Sequence, residues 1–178
     1  MFLFVVSMGS CVSIRSILFY KRVTQKYAES DRTYILKVPF IRQDDQSCCG
    51  RFSLAMVIGY WTGNVDLASE FAKFGICPIN GFSGGELKNL AISKGFKAIL
   101  FTGEMSDIFK HLKATRPIII LKGKEGTRHY VVVNGYSEID KRIIFIDPDK
   151  GMLFQDIEEF YELWTQANRL ALLIIPSE

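Results

Sequence analysis

Apolar positions along this chain follow two regimes. Between residues 49 and 114 they recur mostly at helical spacing, whereas beyond Pro117 they gather in short β-branched runs separated by turn residues. In the run RFSLAMVIGYW, Leu54, Val57, Ile58 and Trp61 recur at helical spacing; Asp and Ser residues ahead of it suit a helix start, and Gly63-Asn64 suits its end. Cys49 therefore falls at or just before a helix amino terminus. Further helices are predicted over Val65 to Phe74, closed by Gly75, over Glu86 to Lys94, ending at Gly95, and over Ser106 to Ala114, where Ile108, Phe109 and Leu112 share a face. Short strands are predicted over Tyr34 to Phe40, stopped by Pro39, and over Lys97 to Phe101. After Pro117 come the runs Pro117 to Leu121, His129 to Tyr136, Arg142 to Asp147 and Leu170 to Ile175, with an amphipathic helix over Asp156 to Thr165 before the last. Short connections make these strands mostly antiparallel, and helices first with a sheet after describes an α+β domain of two packed layers.

Composition narrows the function. The 178 residues suit one domain, and 48% hydrophobic with 23% charged residues is a globular composition. A net charge of +3 on scattered basic residues excludes nucleic acid as the expected partner. There is no glycine-rich phosphate loop, dinucleotide fingerprint or zinc spacing, so no cofactor is expected and the partner should be a peptide or small molecule.

The first 33 residues stand apart from the domain, which is expected over 34–178. Met1 to Val12 is an apolar run with no basic residue ahead of it, and it is too short for a bilayer span of ~20 apolar residues. Met8-Gly9-Ser10-Cys11 loosely resembles the small-residue box of bacterial lipoprotein signals, which would put a lipid on Cys11. Residues 1–20 read either as an export or anchoring segment, giving a bacterial membrane-associated or exported protein, or as a packed terminus of a cytoplasmic one. Lys21 to Thr33 is polar and mixed in charge, as in a linker.

A catalytic cysteine needs a stabilised thiolate, a histidine to take or share its proton, and a third group to hold the imidazole in the right tautomer. Cys49-Gly50 at a helix start meets the first demand through unpaired backbone N–H groups and the helix dipole, and Gly50 leaves the sulfur uncrowded. The chain has only two histidines, His111 and His129. His129 follows a glycine-containing turn and opens a strong strand; Asp147 ends the next strand, ahead of Pro148. If those strands are neighbours, their ends lie side by side. Taken singly, each residue has an ordinary structural explanation: a buried small hydrophobe, a strand-end histidine, an Asp-Pro turn. The four cysteines, Cys11, Cys48, Cys49 and Cys77, include an adjacent pair, which disfavours a framework of well-spaced disulfides.

The order of these residues carries a resemblance. The segment VPFIRQDDQSCCGRFSLAMVIGYW closely resembles the active-site region of the bacteriocin-processing peptidases, papain-like domains that remove double-glycine leader peptides. That family's oxyanion glutamine, six residues before the cysteine, corresponds to Gln43; its cysteine, followed by glycine and a helix with Leu-Ala-Met, corresponds to Cys49, Gly50 and Leu54-Ala55-Met56. Its histidine phrase matches His129 to Val133, and its Asp-Pro matches Asp147-Pro148. Phe160 and Trp164 resemble its closing helix, so the likeness runs from about Val38 to Ile175. Two positions depart from the pattern: Phe52 replaces a small residue and could narrow the site, and Cys48 stands where aspartate is usual, inviting oxidation between neighbours. Gln46 competes with Gln43 as oxyanion donor, though its spacing is worse.

The resemblance implies a papain-like fold, amino-terminal helices on a carboxy-terminal antiparallel sheet, and a cysteine endopeptidase with Cys49, His129, Asp147 and Gln43 as its site. The substrate would be a peptide or protein, cut after a Gly-Gly-type leader, with or without a separate exporter. Two other classes stay open: a silent peptide-binding module, and an amide hydrolase or acyltransferase on the same scaffold.

Overall fold

The computed structural model describes residues 33–177. The readings of Met1 to Val12 and of Cys11 therefore lie outside the described residues. One sheet carries seven strands, every neighbouring pair antiparallel: β1 (Thr33–Ile35), β2 (Phe96–Thr102), β3 (Ile118–Lys122), β4 (His129–Ser137), β5 (Arg142–Asp147), β6 (Gly151–Asp156) and β7 (Leu170–Pro176). Their spatial order is β2-β7-β3-β4-β5-β6, with β1 beside β4. The α-helices among the described residues are α1 (Cys49–Thr62), α2 (Val65–Lys73), α3 (Gly84–Ser93), α4 (Met105–Lys113) and α5 (Ile157–Thr165).

The expected two layers are in fact three. Alternation along β4 sends Tyr130 and Val132 into a core with α1, α2 and α3, and Val131 and Val133 into a second core with Ile108 and Leu112 of α4 and Phe160 and Trp164 of α5. Both faces of the strand are apolar because both are covered. This double coverage explains why the run His-Tyr-Val-Val-Val shows no polar alternation.

Helix α1 is central. Residues Cys49 to Gly59 are all buried, so it is not the one-sided helix that its apolar spacing suggested. A helix buried on all sides lies between the sheet and two other helices, here α2 and α3. Its end is set by Gly63 in the left-handed conformation (φ 67°), and Asn64 then caps α2 by accepting from the Leu67 N–H. Helix α3 starts two residues earlier than expected because Ser83 and Glu86 form a reciprocal capping box.

Two strands depart from expectation. The strand predicted over Tyr34 to Phe40 pairs only through Ile35; two further bonds, Leu36 N–H to the Asn134 carbonyl at 2.7 Å and the Asn134 side-chain amide to the Leu36 carbonyl at 3.0 Å, end the contact, and Pro39 brings no donor of its own. Strand β6 was not anticipated. It is a half-exposed edge strand paired to β5 across the Asp-Pro turn, and its sequence, GMLFQD, lacks a clean alternation.

Where β4 switches partner, from β3 to β1, its register against β5 slips between Val133 and Gly135. The extra residue changes which side chains face which core, so Tyr136 follows Val133 into the second one. Gly135 is required there: a Cβ would lie 2.4 Å from the Tyr34 carbonyl oxygen and 3.2 Å from Ile35 Cα. Both obstacles are backbone. Gly135→Ala is therefore expected to destabilise the domain by about 1–3 kcal/mol, read as a lower midpoint in thermal or urea unfolding.

Candidate active site

The chain enters α1 through a 3-10 turn, Gln46–Cys48, capped by the Asp45 carboxylate, which accepts from the Ser47 N–H at 2.7 Å. No side chain caps α1 itself, so its first-turn N–H groups are not taken up by a capping side chain. Cys49, its first residue, is a free thiol only 8% exposed. Its neighbour explains how a helix end comes so close to the sheet. At Gly50 a Cβ would fall 2.9 Å from Leu87 Cδ1 and 3.1 Å from Tyr130 Cδ2, so glycine lets α1 press between α3 and β4.

His129 is the first residue of β4. Its Nε2 donates to Asp147 Oδ1 at 2.9 Å, and Cys49 lies close enough to the ring to raise its pKa. Asp147 ends β5 and is buried, and its Oδ1 also accepts from the backbone N–H groups of Asp149 (2.9 Å) and Lys150 (3.3 Å). Burial alone would lower the pKa of His129, but the Asp147 bond, the nearby Cys49 and the attraction of both groups raise it to about 9. Burial pushes the Asp147 carboxyl upward, and the bonds from His129 and from Asp149 N–H outweigh it, holding the group below the ordinary aspartate range. The result is an imidazolium bonded to a carboxylate, with Cys49 near the same ring.

Gln43 and Gln46 both line a cleft of about 640 Å³ with His129 and Asp147. Gln43 is half-buried and tied to the turn after Asp147 by a bond from its own N–H to the Pro148 carbonyl (2.8 Å), whereas Gln46 is exposed. His111 lies on α4, beside the Phe101 ring. Phe52 is wholly buried in the core, so it does not narrow the site. Among the described residues no group of three His, Cys, Asp or Glu side chains is placed to hold a metal ion.

Cys48 has a different partner from the neighbour anticipated for it. It forms a disulfide with Cys77, Cα to Cα 5.5 Å, across a sequence separation of 29. The direction of the chain at the helix entry accounts for this: Cys48 is turned towards the loop after α2, and Cys49 towards His129. Arg51, which sequence reasoning missed, holds the same loop by donating to the carbonyls of Phe74 (2.6 Å) and Gly75 (3.0 Å). Nothing in the local sequence pairs Cys48 with Cys77 or Arg51 with Phe74; only the return of the chain after α2 brings them together.

Solved structures place this architecture. The chain has a TM-score of 0.62 and 27% identity to a double glycine motif protease from an AMS/PCAT transporter, solved with its leader peptide, over 81% of this chain and 95% of that one. The peptidase domain of Streptococcus ComA, a bi-functional ABC transporter involved in quorum sensing, gives a TM-score of 0.65 at 24% identity, over 79% and 99%. In sequence, 127 residues (69% of this chain) are 34% identical to the transport/processing ATP-binding protein ComA of Streptococcus pneumoniae. The chain spans only 17% of the length of that relative. Helices and antiparallel sheet in this arrangement give the chain the papain-like architecture of C39 peptidase domains. It belongs to the Peptidase C39 family, whose sequence profile matches residues 37–178.

Two outcomes follow from the site. A folded-state pKa above the ordinary 6.5 makes the His129 contribution to stability full below that pH and lost as pH rises through about 9; the lowered Asp147 value makes its contribution full above the ordinary aspartate pKa and lost as pH falls through the folded one. NMR titration of the His129 ring should give a midpoint near 9, and Asp147→Asn should move it downward. Reducing the Cys48–Cys77 link should cost about 3–4 kcal/mol by loop-closure entropy, measured as a drop in unfolding midpoint with reductant.

Proposed function

We propose that Cys49, His129, Asp147 and Gln43 form one catalytic set that hydrolyses a peptide bond following a double-glycine leader. The observation that carries this is the His129–Asp147 bond at 2.9 Å with Cys49 beside the same ring, and Gln43 on the wall of the cleft that His129 and Asp147 line. The Cys49 thiolate attacks the scissile carbonyl carbon, and the oxyanion is held by the Gln43 side-chain amide and the Cys49 backbone N–H. The His129 imidazolium gives its proton to the leaving amine, leaving the amino-terminal part of the substrate as a thioester on Cys49. His129 then takes a proton from water as it attacks the thioester, and collapse of that intermediate releases the acid and returns the Cys49 thiolate beside the His129 imidazolium.

The leader specificity rests on the relatives: the AMS/PCAT neighbour is a double glycine motif protease solved with its leader peptide. The ComA relatives are transporters, and a separate peptide exporter is the partner this reading assigns to the chain. The Cys48–Cys77 disulfide favours the exported, oxidising-side reading over the cytoplasmic one. Among the described residues no helix is long and apolar enough to cross a membrane, so membrane association would fall to residues 1–20.

A panel of peptides carrying Gly-Gly before the scissile bond tests the set. Cys49→Ala should abolish cleavage; turnover by that variant would sink the reading. Gln43→Ala should slow kcat/KM by ~10²–10³ while leaving the unfolding midpoint in place. Activity of the wild type should fall as pH rises through about 9, where His129 loses its proton, and Asp147→Asn should bring that fall to lower pH.

A further inference from the structure

The cleft beside His129 contains a cation with no anion of its own. Lys122 ends β3 and stands directly across from His129 in the β3–β4 register. Its Nζ lies 4.1 Å from the centre of the Phe145 ring and 5.5 Å from that of Phe160, and it donates to the neutral Gln155 amide oxygen at 2.8 Å. Among the described residues no carboxylate comes within ion-pairing distance of it; Asp147, whose charge favours the ammonium, already accepts from His129 and two backbone N–H groups. Burial pulls the Lys122 pKa down to about 8, with Asp147 resisting and Lys150 adding to the fall. A partly desolvated ammonium whose partners are two aromatic faces and one neutral amide is left without a counter-charge in contact.

The surroundings have the same sign. Lys124, Arg128, Lys150 and the His129 imidazolium join Lys122 on the cleft wall, against the carboxylates of Asp147 and Asp149 only, so five cations face two anions. The place of this wall in the reaction follows from His129. The residues after the scissile bond begin at the nitrogen that His129 protonates, so they leave Cys49 on the His129 side. The cleft is lined by His129, Asp147 and Gln43, and Cys49 is not part of its lining.

We propose that this wall is the leaving-side subsite and that Lys122 selects an acidic residue within the first few positions after the cleaved bond. The proposal rests on the peptidase reading above. A substrate carboxylate there would supply the anion that the protein withholds, in a charge-assisted bond from a partly desolvated donor. The alternative is that Lys122 is only a packing residue, its stem laid on Phe145 and Phe160 with its charge at the rim.

Peptides sharing one Gly-Gly amino-terminal half, and carrying Asp, Asn or Lys at each of the first three positions after the bond, separate these. The wild type should cleave the best Asp peptide about tenfold faster in kcat/KM than its Asn counterpart, with Lys slower still, and added salt should narrow the gap. In Lys122→Met, which keeps the apolar stem, the Asp-to-Asn ratio should fall close to one, while Lys122→Arg should retain a preference for Asp. Equal rates for Asp and Asn peptides in the wild type overturn the proposal even if Lys122→Met fails to fold. An undiminished ratio in a folded Lys122→Met also overturns it. Cleavage of no peptide in the series would overturn the underlying peptidase reading and this proposal with it, whereas cleavage of all at one rate removes only the charge selection.

Discussion

The site depends on how closely the first turn of α1 can approach β4. A helix end and a sheet normally stay apart by the thickness of their side chains, and here the contact at Gly50 removes one of those layers. Leu87 and Tyr130 fill the space a Cβ would need, so the approach is fixed by packing on both sides. Cys49 then meets a histidine whose backbone belongs to a different element. Everything downstream, including the elevated basicity of His129, assumes that this gap stays closed.

Two adjacent cysteines with opposite fates follow from the same entry into the helix. Cys48 is spent in a covalent tie to the loop after α2, and Arg51 holds that loop through two carbonyls. Cys49 is left as the free thiol among the described cysteines. The tie thus anchors the residue before Cys49 while removing the competing thiol. A buried guanidinium bonded to two carbonyls adds stiffness to the same corner, which keeps the start of α1 from fraying.

Much of this was legible from the chain. The helix starting at Cys49 could be read from its spacing and from Gly63-Asn64, and the strand ends at His129 and Asp147 from β-branched runs bounded by turns. Their meeting was conditional on β4 and β5 being neighbours, which they are. Features that depend on contacts distant in sequence were not legible. Strand β6 has weak alternation because it is an edge, and α1 carries no single apolar stripe because it is enclosed. The third layer was invisible because α4 and α5 look like any amphipathic helices until the sheet's second face needs covering. The Cys48–Cys77 pairing and the position of Lys122 opposite His129 are products of register and topology, which local patterns do not encode.

One feature of the Asp147 carboxylate reaches beyond chemistry. Of the three donors on its Oδ1, two are backbone N–H groups of the turn that follows it, and the next loop inward, at Gln43, is bonded to the Pro148 carbonyl in that same turn. The β5–β6 connection therefore acts as a ruler for the site. What matters to Asp147 in this connection is its backbone, and so its length: one residue gained or lost there would rotate the carboxylate off the imidazole and release Gln43 in the same stroke. Insertions in this lineage should accumulate elsewhere on the surface and leave this short hairpin alone.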